Sequence, residues 1–403
     1  MRGIGHIGMI KLMGLVGLIG LMGCSSKESN VPEEKQEEIP IGFGAFVLKE
    51  GSTRAAGDGE LTNALLQEKG FGVYCWYTGG TDVAFLDSKG TTPSSHISSY
   101  TQYVLMRNQK VEYDDETSTW GYTPSKYWPI NPIEKLTFRA YAPYTNYLML
   151  DATTGLPLLP VVVKGDDYGN GTQHDPLWGT GKHDGASDGD DAVTENERYG
   201  KLYNNYNYTM SGSLLASDNR DGTIDWYFHH GMAKLIFWGL LDDKGTDDNV
   251  TIKSITLTPL YDQGLLNIGS PAAVDTDKPD WEDTAGDIDV TIEGTDLANS
   301  TIGKYNEELL PNKGWTQLTP DNKGLLIIPR DFSLSPMTLT VTFEKSGSKE
   351  VTMSTEISQN FQGNTVYTLK MTISNALYVE INTVQSAFSP WVEVDADHAV
   401  YNW

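Results

Sequence analysis

Cysteine is almost missing from this sequence: Cys24 and Cys75 are the two in 403 residues. Once Cys24 is taken up near the N-terminus, as argued below, Cys75 has no partner within the chain. Intrachain disulfides and cysteine-based metal sites are therefore excluded. Basic residues are also scarce, 29 Lys and Arg against 54 Asp and Glu, for a formal charge of −25. Phosphate contacts need clustered Lys and Arg, so nucleic acid is not a partner. An acidic surplus of this kind instead favours solubility and mutual repulsion at a surface. Beyond the N-terminus no apolar run reaches the ~20 residues of a membrane-spanning helix. Amphipathic helical patterning is thin, the best stretch being Leu61 to Glu68. Neither a Gly-x-Ser-x-Gly elbow nor a phosphate-binding Gly-rich loop is present. No short fixed period repeats, which argues against a propeller or a solenoid.

What is present begins with an export signal. Arg2 and Lys11 precede the apolar run Leu12 to Met22, and Gly23-Cys24-Ser25-Ser26 follows; this is the order of a cleavable signal peptide, too short to span a membrane. Leu21-Met22-Gly23-Cys24 resembles the bacterial lipobox, with Met22 off its pattern, and makes Cys24 the expected lipidation site and new N-terminus. Residues 1–23 are thus read as signal peptide and 24–38 as a solvated tether. The alternative is an ordinary signal that happens to end at a cysteine.

Ile39, Ile41, Phe43, Ala45 and Val47 then recur at every second position, the period of a strand with one buried face. Gly51 to Gly59 breaks regular structure with small residues around a single Arg54, an exposed loop with a cleavable basic bond. From Phe71 onward short Val, Tyr, Phe, Trp and Thr runs alternate with Gly, Asn, Asp and Pro clusters. The runs are Phe71–Tyr77, Tyr103–Asn108, Lys135–Tyr141, Leu235–Leu240, Ile252–Leu257, Leu325–Ile328, Met337–Phe343 and Val366–Ile373. This spacing predicts an all-β chain of antiparallel sandwiches rather than βαβ units. Between Gly165 and Asp225 the composition turns to Gly, Asp, Asn, Ser and Tyr. We therefore expect one sandwich over 39–180, an acidic linker or insertion over 181–224, and a second sandwich over 225–403.

Candidate chemistry is weak throughout. Asn219 to Asp225 resembles part of a calcium loop, but Ser217 and Phe228 would fill its first and last positions, and a tight turn feeding a strand is the simpler reading. Asp184, Asp188, Asp190 and Asp191 stand among small residues and leave a weak surface calcium site open, against a plain solvated loop. His229 and His230 would point to opposite faces of a strand and so could not share a metal. Trp120, Tyr122, Tyr127, Trp128, Tyr141 and Tyr144 could stack on sugars, but aromatics at strand spacing usually form core and cross-strand pairs. No spacing singles out a catalytic pair of carboxylates. The expectation is a protein with no catalytic, cofactor or metal site.

Several segments, in order, carry a family resemblance: Ile41-Gly42-Phe43-Gly44-Ala45 leading to Thr53-Arg54-Ala55; Trp120-Gly121-Tyr122 with Tyr127-Trp128-Pro129; Phe138 to Tyr144; Asp175-Pro176-Leu177-Trp178; His230 to Phe237; and Tyr367 to Met371 with Trp391. Together they resemble the fimbrillin-like (Mfa-type, type V) pilins of Bacteroidales. The resemblance implies two tandem transthyretin-like sandwiches, export through the periplasm as an outer-membrane lipoprotein, and cleavage at Arg54-Ala55 by an arginine-specific protease. It further implies that residues 39–54, with the strand Ile39, Ile41, Phe43, Ala45 and Val47, are removed, and that a neighbouring fimbrial subunit fills the groove by strand addition. Such head-to-tail contacts do not close and so build a fibre. The implied donor strand lies at the C-terminal end, where Val392 and Val394, then Ala399, Tyr401 and Trp403, alternate; Leu377, Val379 and Ile381 form an earlier run. Their alternative role is to complete their own sandwich. The expected function is a structural subunit of surface fimbriae that supports adhesion to a host or bacterial surface. The competing reading is a non-polymerising tip or anchor adhesin, or a glycan-binding surface lipoprotein, on the same fold.

Overall fold

The computed structural model describes residues 40–47, 62–77, 104–127, 136–152, 157–183, 207–208, 223–241, 249–268, 279–304, 306, 314–320, 323–345, 349–373, 379–383 and 389–390. The first half of the chain forms β1 (Gly42–Val47), helix α1 (Asn63–Lys69), β2 (Phe71–Tyr77), β3 (Val104–Asp114), β4 (Thr119–Gly121), β5 (Leu136–Ala142), β6 (Met149–Leu150) and β7 (Pro157–Val162). The short helix α2 (Asp167–Asn170), β8 (Leu177–His183), β9 (Asn207–Tyr208) and β10 (Thr223–His230) follow. The second half contributes β11 (Ala233–Leu241), β12 (Asn249–Leu260), β13 (Gln263–Asn267), β14 (Asp280–Ala285), β15 (Ile288–Glu293), β16 (Thr301–Gly303), β17 (Thr316–Gln317) and β18 (Leu325–Ile327). After these come β19 (Arg330–Asp331), β20 (Met337–Lys345), β21 (Glu350–Ile357), β22 (Asn360–Phe361), β23 (Thr365–Ile373), β24 (Val379–Thr383) and β25 (Ser389–Pro390). The all-β expectation agrees with this, and each of the eight strand runs named between Phe71 and Ile373 overlaps an observed strand.

Alternation explains the strands individually. In β20, Met337, Leu339, Val341 and Phe343 are buried, and the intervening Thr340 and Thr342 face outward, where they pair through their hydroxyls with Ser354 and Thr352 of β21 at 2.8 and 3.0 Å. The helix α1 is bounded by its own chemistry. Thr62 Oγ1 accepts from Leu65 N (3.2 Å), and Gly70 closes the other end at φ +71, where a side chain would be strained.

Two large cores result. The first is lined by β1, α1, β2, β3, β5, β8 and β10, in a sheet ordered β1-β10-β8-β5-β2-β3-β4. The second lies between the sheet β17-β11-β23-β24 and the sheet β15-β12-β20-β21. The sequence division at 225 is crossed in both directions. β10, expected to open the second sandwich, pairs with β1 and β8 in the first sheet. Tyr168 of α2, expected in the first, is buried in the second core. The cause is that β10 and β11 are one run broken only at Gly231-Met232, so the chain changes core one strand after its composition changes.

The seam between the cores is closely fitted. β7 pairs with β13, which joins the first half of the chain to the second. Gly231 N donates to Pro176 O (2.7 Å), and Trp281 Nε1 donates to Gly231 O (3.0 Å). A Cβ at Gly231 would stand 2.5 Å from the Pro176 carbonyl, so only glycine permits this approach. Gln173 spans the seam, donating to Gly324 O (3.1 Å) and accepting from Leu326 N (2.8 Å). His230 Nδ1 meets Asp175 Oδ2, and His230 N donates to Asn364 Oδ1 (3.2 Å).

His229 faces the other way and stacks on Trp178 at 4.6 Å. Burial, with the adjacent His230 second, pushes its imidazole down to about 3. The unfolded chain takes up a proton on this residue below about pH 6.5, while the folded chain resists until about 3. Stability is therefore complete above pH 6.5 and falls with decreasing pH, by up to about 1.4 kcal/mol per pH unit from this group. Urea melts between pH 7 and 4.5 should show the decline, and His229→Phe should flatten it; an equal slope in the variant would refute the assignment.

Candidate functional site: the slot of the first strand

β1 is an edge strand, and the way it is held defines a slot. It runs parallel to β10, in the register Gly42–Thr223 through Val47–Phe228. Parallel partners cannot be joined by a tight hairpin, so β1 enters this sheet from far away in sequence. On its inner side Ile41, Phe43, Ala45 and Val47 are all buried. These are four of the five residues expected to form a removable strand; Ile39 lies outside the described residues.

Phe43 is the anchor of the inner side. Its ring meets those of Tyr122 at 5.4 Å, Phe71 at 6.2 Å and Phe138 at 6.3 Å, and Phe71 passes the contact to Trp120 and Phe228 at 5.0 and 5.5 Å. These edge and tilted contacts are the favoured aromatic geometries. Trp120 and Tyr122, candidates for sugar stacking from the sequence, thus pack against the first core. Tyr141 is buried as well, its hydroxyl set beside Asn108 and Thr145. Tyr127 is partly displayed, at 45% exposure, and Trp128 lies outside the described residues.

Away from β10 the strand is held at its two ends. Ile41 N donates to Lys126 O (2.8 Å), Tyr122 OH donates to Ile41 O (2.9 Å), and Pro40 bridges Tyr127. Burial pushes the Tyr122 hydroxyl up to about 12, so it stays a donor at ordinary pH. At the other end Val47 N donates to Asn63 Oδ1 (2.7 Å) at the start of α1. The segment 48–61, which holds Arg54 and Ala55, therefore connects two anchored elements. Cys24, Arg54, Ala55, Val392, Val394, Ala399, Tyr401 and Trp403 lie outside the described residues, as do Asp184, Asp188, Asp190 and Asp191. Val379 and Ile381 fall in β24, which pairs with β23 of their own chain.

Sequence reasoning missed β10 as the partner of β1, Tyr122 as a clamp on its carbonyl, and Asn63 as the tie at its end. Only Tyr122 left a trace, its place in the Trp120-Gly121-Tyr122 segment. Among the described residues no group of three or more His, Cys, Asp or Glu is placed to hold a metal ion. His229 and His230 serve the stack and the seam described above.

This fold and slot define an all-β protein of sandwich type whose first strand is seated from outside its local hairpins. The chain belongs to the fimbrillin-like family, whose model matches residues 53–391. A fimbrial protein from Bacteroides vulgatus has the same fold at 19% identity and a TM-score of 0.56, the match covering 88% of this chain and all of the other. More distant matches include a candidate cell adhesion protein from Bacteroides ovatus (15% identity, TM-score 0.42, 89% of this chain and all of the other) and one from Bacteroides uniformis (14%, 0.44, 88% and 98%). No curated protein matches the chain.

Truncating the anchor tests its importance. Phe43→Ala should cost about 3–5 kcal/mol, read as a lower urea midpoint and faster amide exchange along β10. A variant as stable as the parent would show that β1 contributes little to the first core.

Proposed function

We propose that the chain is a structural subunit of cell-surface fimbriae, built from two transthyretin-like sandwiches and exported as an outer-membrane lipoprotein through Cys24. An arginine-specific protease cuts between Arg54 and Ala55, β1 leaves its slot, and a strand from a neighbouring subunit takes its place. The observation that carries this reading is the slot itself: an edge strand, parallel to its one long partner, buries with the adjoining Ile41 four side chains in an aromatic-lined groove.

The physics favours replacement over an open groove. Losing β1 exposes the rings around Phe43 and leaves the β10 ladder unpaired, an edge ready to template another strand. An incoming strand regains both the hydrogen bonds and the apolar burial. The family match begins at residue 53, past β1 and two residues before the expected cut, and ends at 391, before Val392. The chain's own donor is the run with Val392, Val394, Ala399, Tyr401 and Trp403, offered to the slot of the next subunit, and the assembled fibre supports adhesion.

The test belongs in the bacterium that makes the protein. Wild-type chain should start at Ala55 and migrate in SDS-resistant ladders with other fimbrial subunits, and Arg54→Ala should remain a lipid-bearing monomer. If the wild-type chain keeps its N-terminal segment and never enters a ladder, a tip, anchor or glycan-binding adhesin replaces the stalk subunit.

A further inference from the structure

The outer side of β1 is as particular as the inner one. Its outward residues are Gly42, Gly44 and Phe46, and the two glycines lie opposite Thr223 and Asp225. A Cβ on Gly42 would stand 2.7 Å from Thr223 Oγ1. One on Gly44 would stand 2.0 Å from Asp225 Oδ1 and 3.1 Å from its Cγ. Both opposing side chains are half-buried and lie over the strand where outward side chains would otherwise rise. Phe46, the third outward residue, stands 44% exposed.

We propose that Thr223 and Asp225 make the slot selective for a strand with apolar inward residues and no side chain at two alternate outward positions. The slot then accepts a glycine-patterned strand from a different subunit and disfavours the C-terminal run of a second copy of this chain. This deepens the strand-exchange reading and rests on it.

The chain's own C-terminal runs make the contrast. With Val392 and Val394 inward, the outward positions carry Glu393 and Asp395; with Ala399, Tyr401 and Trp403 inward, they carry Val400 and Asn402; with Leu377, Val379 and Ile381 inward, they carry Tyr378 and Glu380. None of the three runs offers a glycine. Seated in the place of β1 with Val392 where Phe43 lies, the run brings Glu393 against Asp225, and two like charges in contact at a half-buried site repel more strongly than in open water. Asp225 can swing aside for a neutral side chain at some cost, whereas for a carboxylate the same movement weakens the repulsion without reversing its sign. Discrimination by a built-in repulsive element is a common route to specificity. A slot of this kind makes neighbours along a fibre different chains.

The matching of Gly44 to Asp225 can be measured in the intact chain, residues 25–403, without any strand exchange. Gly44→Glu should lower the melting temperature by about 5 °C or more, on the scale of a few degrees per kcal/mol for domains of this size. Adding Asp225→Ala should restore at least half of the loss. Should Gly44→Glu not fold, Gly44→Ala with and without Asp225→Ala gives the same comparison. A Gly44 variant that melts like the parent, or a loss that Asp225→Ala does not relieve, would overturn the proposal. The exchange reading is probed separately, by offering chain cut at Arg54 the peptide 40–48. That peptide should enter about 10-fold more tightly than its Gly44→Glu form or peptide 390–398. Equal entry of the three overturns the selectivity. Exclusion of all three, with the melting result intact, overturns strand exchange and leaves the Gly44–Asp225 fit standing.

Discussion

One run of chain, Thr223 to Leu241, organises everything else. As β10 it lies in the first sheet between β1 and β8, and as β11 it lies in the second between β23 and the pair β17 and β18. In each sheet it has one parallel neighbour, β1 before it in sequence and β23 after it. Parallel pairs need long connections, so both partners arrive from distant parts of the chain. The bend that moves the run from one core to the other is Gly231-Met232, and the contact of Gly231 with Pro176 and Trp281 leaves no room for a side chain. Displacing this run would take apart both cores together.

The seam depends on polar groups as much as on apolar ones. Gln173, Asp175, His230 and Asn364 are buried, and each has its contact described above across the junction or within it. Buried polar groups of this kind add little net stability over an apolar packing but penalise any other arrangement, because a shifted partner leaves them desolvated and unmatched. Apolar clusters flank them, Leu159, Trp178 and Leu266 on one side and Met232, Leu326 and Ile328 on another. Hydrophobic burial thus holds the halves together, and the polar set fixes how they meet.

Much of this was legible locally. Alternation marked the inner face of β1, and β2, β5, β20 and β23 were read within a residue or two of their observed ends. The helix expected at Leu61 to Glu68 appears as Asn63–Lys69, displaced because Thr62 rather than a residue before it supplies the cap. What escaped was non-local. Nothing in residues 42–47 announces a parallel partner at 223–228, because pairing register is set by the assembled core and leaves no mark on either strand alone. The glycines of β1 illustrate the point. In the sequence Gly42 and Gly44 are merely the gaps in an alternating pattern, and their meaning comes from the two side chains of β10 opposite them. The composition change before Asp225 was real, but it marked an insertion inside the first sheet rather than its border.

The parallel setting of β1 on β10 also has a mechanical meaning. A pull along the axis of whatever strand occupies that slot loads the ladder bonds from Gly42 to Val47 together, in shear, instead of opening them one after another like a zipper. Tension then passes into β10, continues through the covalent bend into β11, and leaves by way of β23, again a parallel neighbour. The load path is a single backbone flanked by two sheared ladders. A chain wired this way resists extension through its length without calling on the contacts between its two cores.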